Sequence, residues 1–195
     1  TCALPIYLPD LKKAEAAASE IIADVRSRGD DALRFYNRKF DGCETAELRV
    51  SEEEVEAAYR EVGEYFLQTL AEAAANIREF HERQRREGFS YTRPDGTRLG
   101  QRIMPLARVG VYVPGGTAAY PSTVLMDVIP AVVAGVGEIA MVTPPGKDGK
   151  IKAEILAAAK IAGVGEIYRV GGAQAIAALA YGTGSIRRRS EEHTS

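Results

Sequence analysis

The chain has 195 residues, of which 25 are Lys or Arg and 27 are Asp or Glu, and its formal net charge is -2. A hydrophobic fraction of 46% is too high for a disordered protein, and the near-zero charge argues against a dedicated nucleic-acid-binding protein, which carries a basic surplus. Two Cys cannot form a disulfide framework and no apolar stretch is long enough to span a membrane, so we expect a cytoplasmic protein that binds neither membrane nor nucleic acid.

The two ends of the chain are related at the level of DNA. One DNA string can encode residues 189–195, and its opposite strand can encode residues 1–6 and begin a codon for Tyr7. That string resembles a sequencing-library adapter, and scars of this kind are excluded from fold reasoning. We therefore predict that residues 1–7 and 187–195 are not native and that the chain is cut from a longer gene. The alternative is an authentic apolar leader and polar tail.

Residues 8–108 are predicted to form a helical region that ends in a β-hairpin. Apolar residues recur at helical spacing in 11–25, 30–40 and 64–86, with Gly29 and Asp41-Gly42 as the first two stops. Ser51 with Glu54 predicts a capping box, in which Glu54 reaches back to the Ser51 amide. Alternation in 89–92, a Pro-Asp-Gly turn and an extended run over 98–104 predict the hairpin.

Residues 109–186 are predicted to form an incomplete Rossmann-like half-domain with a parallel β-α-β-α-β-α order. Short β-branched runs at 109–113, 139–142 and 167–170 alternate with apolar helical segments. The sequence of residues 134–139 recurs at 162–167, and each copy places a glycine where a helix would end and a strand would begin. Repeats of this length suit right-handed parallel crossovers, so the fold class is α/β.

Ligands of open α/β sheets bind beyond the carboxyl ends of the strands. The three predicted strands run into Gly115-Gly116, Thr143-Pro144-Pro145-Gly146 and Gly171-Gly172. Glycine pairs let a backbone approach a ligand, but a purely structural turn explains each pair equally well. None of these loops matches a dinucleotide fingerprint or a phosphate-binding loop of the Gly-Lys-Ser/Thr type. The residues alone therefore predict a ligand-binding crevice at this edge and no specific ligand.

Residues 109–126 and 170–183 closely resemble signature runs of the histidinol dehydrogenase family, as does the front end from Asp24 to Leu33. The resemblance implies NAD- and zinc-dependent oxidation of L-histidinol to L-histidine through histidinal, two hydride transfers that complete histidine biosynthesis. Tyr112 and Gln174 match positions that bind NAD in the family, and Gly115 and Gly116 are weaker candidates. The resemblance also implies a cytoplasmic homodimer for the full-length protein.

The chain departs from the family pattern near its end. The positions of the family's zinc ligands and catalytic base lie beyond residue 195, so we assign no catalytic or metal-binding residue here. Gly184 stands where Glu is usual, and Arg187-Arg188 replaces a Pro-containing continuation. We predict that this chain alone has no dehydrogenase activity and has an exposed sheet edge. Two alternatives stay open: a same-family dehydrogenase of another alcohol, such as a sulfonated diol, and a non-catalytic ligand-binding module.

Overall fold

The protein is represented by a computed structural model, which describes residues 11–115 and 119–189. The helices within these residues are α1 (Lys12–Arg28), α2 (Asp30–Tyr36), α3 (Glu52–Glu61), α4 (Glu64–Glu82), α5 (Pro121–Val133), α6 (Ala153–Ala162) and α7 (Gly172–Tyr181). The strands are β1 (Phe89–Thr92), β2 (Arg98–Gln101), β3 (Arg108–Tyr112), β4 (Glu138–Thr143) and β5 (Glu166–Arg169). The predicted α/β class, helices first and parallel strands second, is confirmed.

Helix boundaries differ from the sequence prediction at two places. The helix predicted over 30–40 is α-helical only to Tyr36 and continues as a π-helical turn, Asn37–Asp41, which ends at Gly42 with a φ of 64°. Helix α4 ends at Glu82 instead of residue 86, because the charged residues that follow are exposed and bury no apolar face.

The capping box at α3 is only half formed. The Ser51 hydroxyl accepts a hydrogen bond from the Glu54 backbone N–H at 3.2 Å, as predicted. The Glu54 carboxylate does not make the predicted return contact and pairs with the Arg169 guanidinium at the end of β5. A charged partner forms a stronger hydrogen bond than an exposed amide, so the tertiary contact prevails over the local one.

The predicted hairpin is present, but its second strand ends at Gln101 and not at residue 104. Strand β1 pairs antiparallel with β2, and Tyr91 lies opposite Leu99. Every residue of both strands is exposed.

The second sheet is parallel, with the order β3-β4-β5. Residues 48–50 cover the outer side of β5, where the Val50 N–H donates to the Ile167 carbonyl and the Arg169 N–H donates to the Leu48 carbonyl. Strand β3 forms the other edge among the described strands. The repeat prediction is confirmed, since Gly135 and Gly163 follow equivalent helices with the same φ of 89°.

Helices cover both faces of this sheet. On one face, α5 and α6 pack against α3 and α4 around buried residues such as Val128 and Leu156. On the other face, α1 and α2 pack against α7 around Leu33 and Ala178. The hydroxyl of Ser185, just after α7, donates to the Asp30 carboxylate at 2.7 Å and ties the end of this core to its beginning.

Candidate functional site

The loops that follow the three parallel strands converge on Pro144. A Cβ atom added at Gly115 would lie 2.7 Å from Pro144 Cγ, and one added at Gly171 would lie 2.5 Å from Pro144 Cβ. Both distances are shorter than side-chain atoms tolerate, so packing alone requires glycine at these two positions. The sequence left open whether these glycines allow a ligand to approach or serve the structure of the loop. Loop packing alone is sufficient to explain Gly115 and Gly171. Gly116 lies outside the described residues.

Tyr112 and Gln174 lie together at the start of α7. The Gly172 backbone N–H donates to the Tyr112 hydroxyl at 3.3 Å. Gly172 has a φ of 63°, and a Cβ atom there would lie 2.6 Å from Gln174 Oε1. Glycine is thus needed both for the left-handed backbone and for space beside the Gln174 amide.

The Gln174 side chain is a buried polar group at this edge of the sheet. It is only 1% exposed, and its Oε1 has no hydrogen-bond partner among the described residues. An unpaired buried acceptor costs about 1–3 kcal/mol, so natural cores rarely keep one without a reason. Its position at the carboxyl edge of the sheet makes the Gln174 amide a candidate for ligand contact.

The amino terminus of α7 adds a partial positive charge to the same place. Gly171 is the N-cap residue and has no side chain to cap the helix, and the first N–H group, that of Gly172, donates to the Tyr112 hydroxyl. The helix dipole and the N–H groups that follow Gly172 in the first turn favour an anionic group here, such as a phosphate. The arrangement thus places an aromatic ring and a buried amide beside the positive end of a helix dipole.

A cavity opens on the other side of Pro144, on the face of the sheet that carries α3 and α6. It has a volume of about 1010 Å³ and is lined in part by Gly115, Thr143 and Asp148. Neither Tyr112 nor Gln174 lines it. Sequence reasoning missed this cavity, because α3 and the loop after β4 are far apart in the chain.

The amino-terminal end of the sheet carries a network of charges that sequence reasoning also missed. The Arg108 guanidinium, whose side chain is 7% exposed, pairs with Glu138 at 2.9 Å and with Glu166 at 2.6 Å. Arg187 contacts the same two carboxylates at 2.7 and 3.4 Å. Hydrogen bonding from Arg108, with a further bond from the Tyr168 hydroxyl, lowers the pKa of Glu166 from 4.5 to about 2. The sequence signal for this network was the repeat, which places a Glu at the start of both β4 and β5.

Other groups that could carry chemistry have ordinary surroundings. The His81 Nδ1 lies 2.7 Å from Gln84 Oε1 on α4. Burial raises the pKa of the Cys43 thiol. Within residues 11–115 and 119–189, no three or more His, Cys, Asp and Glu side chains are grouped to hold a metal ion. No helix in these ranges has the length and apolar character needed to cross a membrane.

Comparison with known proteins gives one consistent result. The family model described as histidinol dehydrogenase matches residues 8–190. The histidinol dehydrogenase of Geobacillus kaustophilus (strain HTA426) is 57% identical over 171 residues, 88% of this chain and 40% of that protein. That of Bacillus subtilis (strain 168) is 55% identical over 85% of this chain and 39% of its own length.

A solved structure agrees with these sequence matches. The crystal structure of histidinol dehydrogenase from Elizabethkingia anophelis superposes with a TM-score of 0.87 and 34% identity, covering 96% of this chain and 43% of that chain. The present chain therefore spans about 40% of the length of the curated relatives it matches.

Proposed function

The chain belongs to the histidinol dehydrogenase family, and we propose that it supplies the NAD-binding portion of a longer alcohol dehydrogenase. The observation that carries this proposal is the buried Gln174 amide near Tyr112 and the start of α7, whose oxygen has no hydrogen-bond partner within residues 11–115 and 119–189. The family match and the Gln174 amide oxygen both support NAD binding at the edge of the sheet where the carboxyl ends of the parallel strands lie.

Each residue of this edge has a physical role in holding the cofactor. The hydrogen bond from Gly172 to the Tyr112 hydroxyl fixes the tyrosine ring, so its face can pack on a flat cofactor group. Gln174 Oε1 accepts a hydrogen bond from a hydroxyl or amide of the ligand. The N–H groups that follow Gly172 in the first turn of α7 bind a phosphate oxygen. NAD, when bound, accepts the hydride removed from the alcohol carbon.

The activity of the whole protein is proposed from the family. It oxidises L-histidinol to L-histidine through the aldehyde, uses two NAD and a zinc ion, and works as a cytoplasmic homodimer. The described residues present no grouped ligands for zinc, so the metal has no assigned role in this chain. Gln174 and Tyr112 contribute binding and orientation, and we assign no proton transfer to them.

The test is a Gln174→Leu substitution in the 195-residue chain. Leucine has a similar size and lacks the acceptor, so NAD affinity measured by calorimetry should fall about 5- to 10-fold. The free energy of unfolding should stay the same or rise, because an unpaired buried oxygen is removed. Gln68→Leu, at an exposed position of α4, is the matched control and should change neither quantity. Unaltered NAD affinity in Gln174→Leu would overturn the proposal.

A further inference from the structure

The chain contains three Asp-Gly pairs, each at a turn of the backbone. The pairs are Asp41-Gly42, Asp95-Gly96 and Asp148-Gly149. Their glycines have φ values of 64°, 86° and 78°, which glycine adopts readily because it has no Cβ atom. The missing side chain also leaves the glycine nitrogen open to a reaction with the aspartate that precedes it.

An Asp-Gly pair can rearrange with no reagent other than water. The glycine backbone nitrogen attacks the carboxyl carbon of the aspartate side chain, and one C–N bond forms as one C–O bond breaks. The amide hydrogen and the carboxyl O–H group leave together as water, and a succinimide ring remains. Water then opens the ring at either carbonyl, which restores aspartate or gives isoaspartate. The composition of the chain is unchanged, but the main chain of isoaspartate runs through the side-chain carbon.

Ring closure requires the glycine nitrogen to leave its hydrogen bond. The N–H groups of Gly42, Gly96 and Gly149 donate to the backbone carbonyls of Asn37, Arg93 and Gly146, respectively. Each turn must therefore open before its aspartate can react, and the pair in the least stable turn should react fastest.

Two of the turns are tied to the core of the protein. The Asn37 side chain, at the start of the π-helical turn, is fully buried, and its Nδ2 donates to the Arg169 carbonyl at 2.8 Å. The Arg169 guanidinium donates to the Gly149 carbonyl at 3.3 Å. A Cβ atom added at Gly149 would lie 3.6 Å from Cys43 Sγ, so this turn also packs on a buried residue. Opening of either turn therefore disturbs contacts with the end of β5.

The third turn, residues 93–97, belongs to the exposed hairpin. The Arg93 N–H donates to the Thr97 carbonyl at 2.8 Å, and the Thr97 N–H donates to Asp95 Oδ1 at 2.9 Å. Among the described residues, the hydrogen bonds of 93–97 join only residues of this turn. A two-stranded hairpin is marginally stable in water, and all residues of β1 and β2 are exposed. This turn should therefore open far more often than the other two.

The charge of the carboxyl group favours a different pair. A neutral carboxyl group loses its oxygen more readily than a carboxylate. Burial raises the pKa of the Asp41 carboxyl, whereas hydrogen bonds from Thr97 lower the pKa of Asp95. Shifts among protein aspartates usually change the neutral fraction by about tenfold, but the open populations of exposed and core segments differ by several orders of magnitude. The opening of the turn therefore decides which aspartate reacts.

We propose that isoaspartate forms in this chain at Asp95, through a succinimide ring with Gly96 in the hairpin turn. The added main-chain atom lengthens the turn and changes the spacing of Thr92 and Arg98, the pair of β1 and β2 residues nearest to it. The product carries a free α-carboxylate, which is the group that carboxyl methyltransferases with a sulfonium methyl donor recognise in damaged proteins. The inference does not depend on the proposed binding of NAD.

The first experiment follows the three pairs in the purified chain during incubation at neutral pH. Peptides that contain each pair are separated by reversed-phase chromatography, and electron-transfer fragmentation distinguishes isoaspartate from aspartate. Isoaspartate should accumulate at Asp95 at least about 10-fold faster than at Asp41 or Asp148. Equal or faster accumulation at either of the other two aspartates would overturn the proposal.

A disulfide across the hairpin tests whether opening of the turn controls the rate. Thr92 and Arg98 lie opposite each other, and the next pair towards the turn is hydrogen-bonded. They therefore form a close pair without mutual hydrogen bonds, whose spacing suits a disulfide. The variant is Thr92→Cys with Arg98→Cys, in a chain that also carries Cys2→Ser, and Cys43 is buried.

The oxidised and reduced forms of this variant are then compared. In the oxidised form, isomerisation at Asp95 should slow about 5- to 10-fold, while the rate at Asp148 stays constant. The reduced form is the matched control and should react like the unaltered chain. Equal rates at Asp95 in the two forms would contradict the proposal.

Substitution of the reacting residue provides an independent readout. Glutamate forms the corresponding larger ring far more slowly, so Asp95→Glu should remove most of the methyl groups that an isoaspartate-specific methyltransferase transfers to the incubated chain. Asp148→Glu, in a turn tied to the core, is the control and should accept as many methyl groups as the unaltered chain. Equal methyl acceptance by the two variants would refute the assignment to Asp95.

Discussion

The two ends of the parallel sheet are built in opposite ways. At the amino-terminal end, Arg108 joins Glu138 and Glu166 in a network of ion pairs and hydrogen bonds. At the carboxyl end, glycine loops pack on Pro144, the buried Gln174 oxygen has no partner among the described residues, and a cavity opens on the other side of Pro144. The difference teaches that this fold pairs its charged side chains at one end of the sheet and packs glycine loops beside a cavity at the other. Substitutions at the two ends should therefore affect different quantities.

The largest expected effect is at the charged end. Arg108→Ala leaves Glu166, which is 17% exposed, without its main partner, so the free energy of unfolding should fall by about 3 kcal/mol. Urea denaturation measures this loss, and NAD affinity of the folded fraction should stay constant. Arg98→Ala on the exposed hairpin is the control, with a change of less than about 0.5 kcal/mol. A loss below about 1 kcal/mol in Arg108→Ala would mean that the network contributes little.

A smaller effect should appear when pH is varied. The pKa of Glu166 is about 2 in the folded protein and 4.5 ordinarily, because Arg108 donates to the carboxylate. The lowered pKa contributes stability that is fully present above pH 4.5 and is lost as pH falls towards 2, by about 2 kcal/mol after solvent screening. Urea midpoints of the unaltered chain and Glu166→Gln should converge over this range. A constant difference between them would show that the pKa of Glu166 is not shifted.

The smallest effect is expected at the loop end. Gly171 has an ordinary φ of -117°, so Gly171→Ala introduces only the clash with Pro144 and should cost about 1 to 2 kcal/mol. The clash moves the start of α7, so NAD affinity should fall as well. Gly63→Ala, with no atom within 4 Å of the added Cβ, is the matched control and should change stability by less than about 0.5 kcal/mol. Unchanged NAD affinity in Gly171→Ala would show that the packing of this loop on Pro144 does not affect NAD binding.

Features with a local signal in the sequence were predicted correctly. The repeated glycines at 135 and 163 gave the ends of two helices and the starts of β4 and β5. Periodicity placed the helices, and the Pro-Asp-Gly turn placed the hairpin. In each case neighbouring residues determine the backbone, so a short stretch of sequence is sufficient.

Features that depend on distant residues were not predicted. Arg108 finds its two partners 30 and 58 residues away, and only the folded sheet brings their first positions together. The Glu54 carboxylate pairs with Arg169, 115 residues away, instead of making the predicted contact with the Ser51 amide. Pro144 packs where the Cβ atoms of residues 115 and 171 would lie if these residues were not glycine. No sequence pattern reveals this contact. The placement of Tyr112 and Gln174 came from family resemblance, and their role in NAD binding remains a prediction.

The packing of α1 and α2 on α7 has a consequence for synthesis of the chain. Asp30 and Ser185, which join this core, are 155 residues apart. At ribosomal rates of about 5–20 residues per second, the first helices wait roughly 8 to 30 seconds before their partner helix is made. During that time the residues of α1 and α2 that α7 covers, such as Leu33, have no partner helix to pack against.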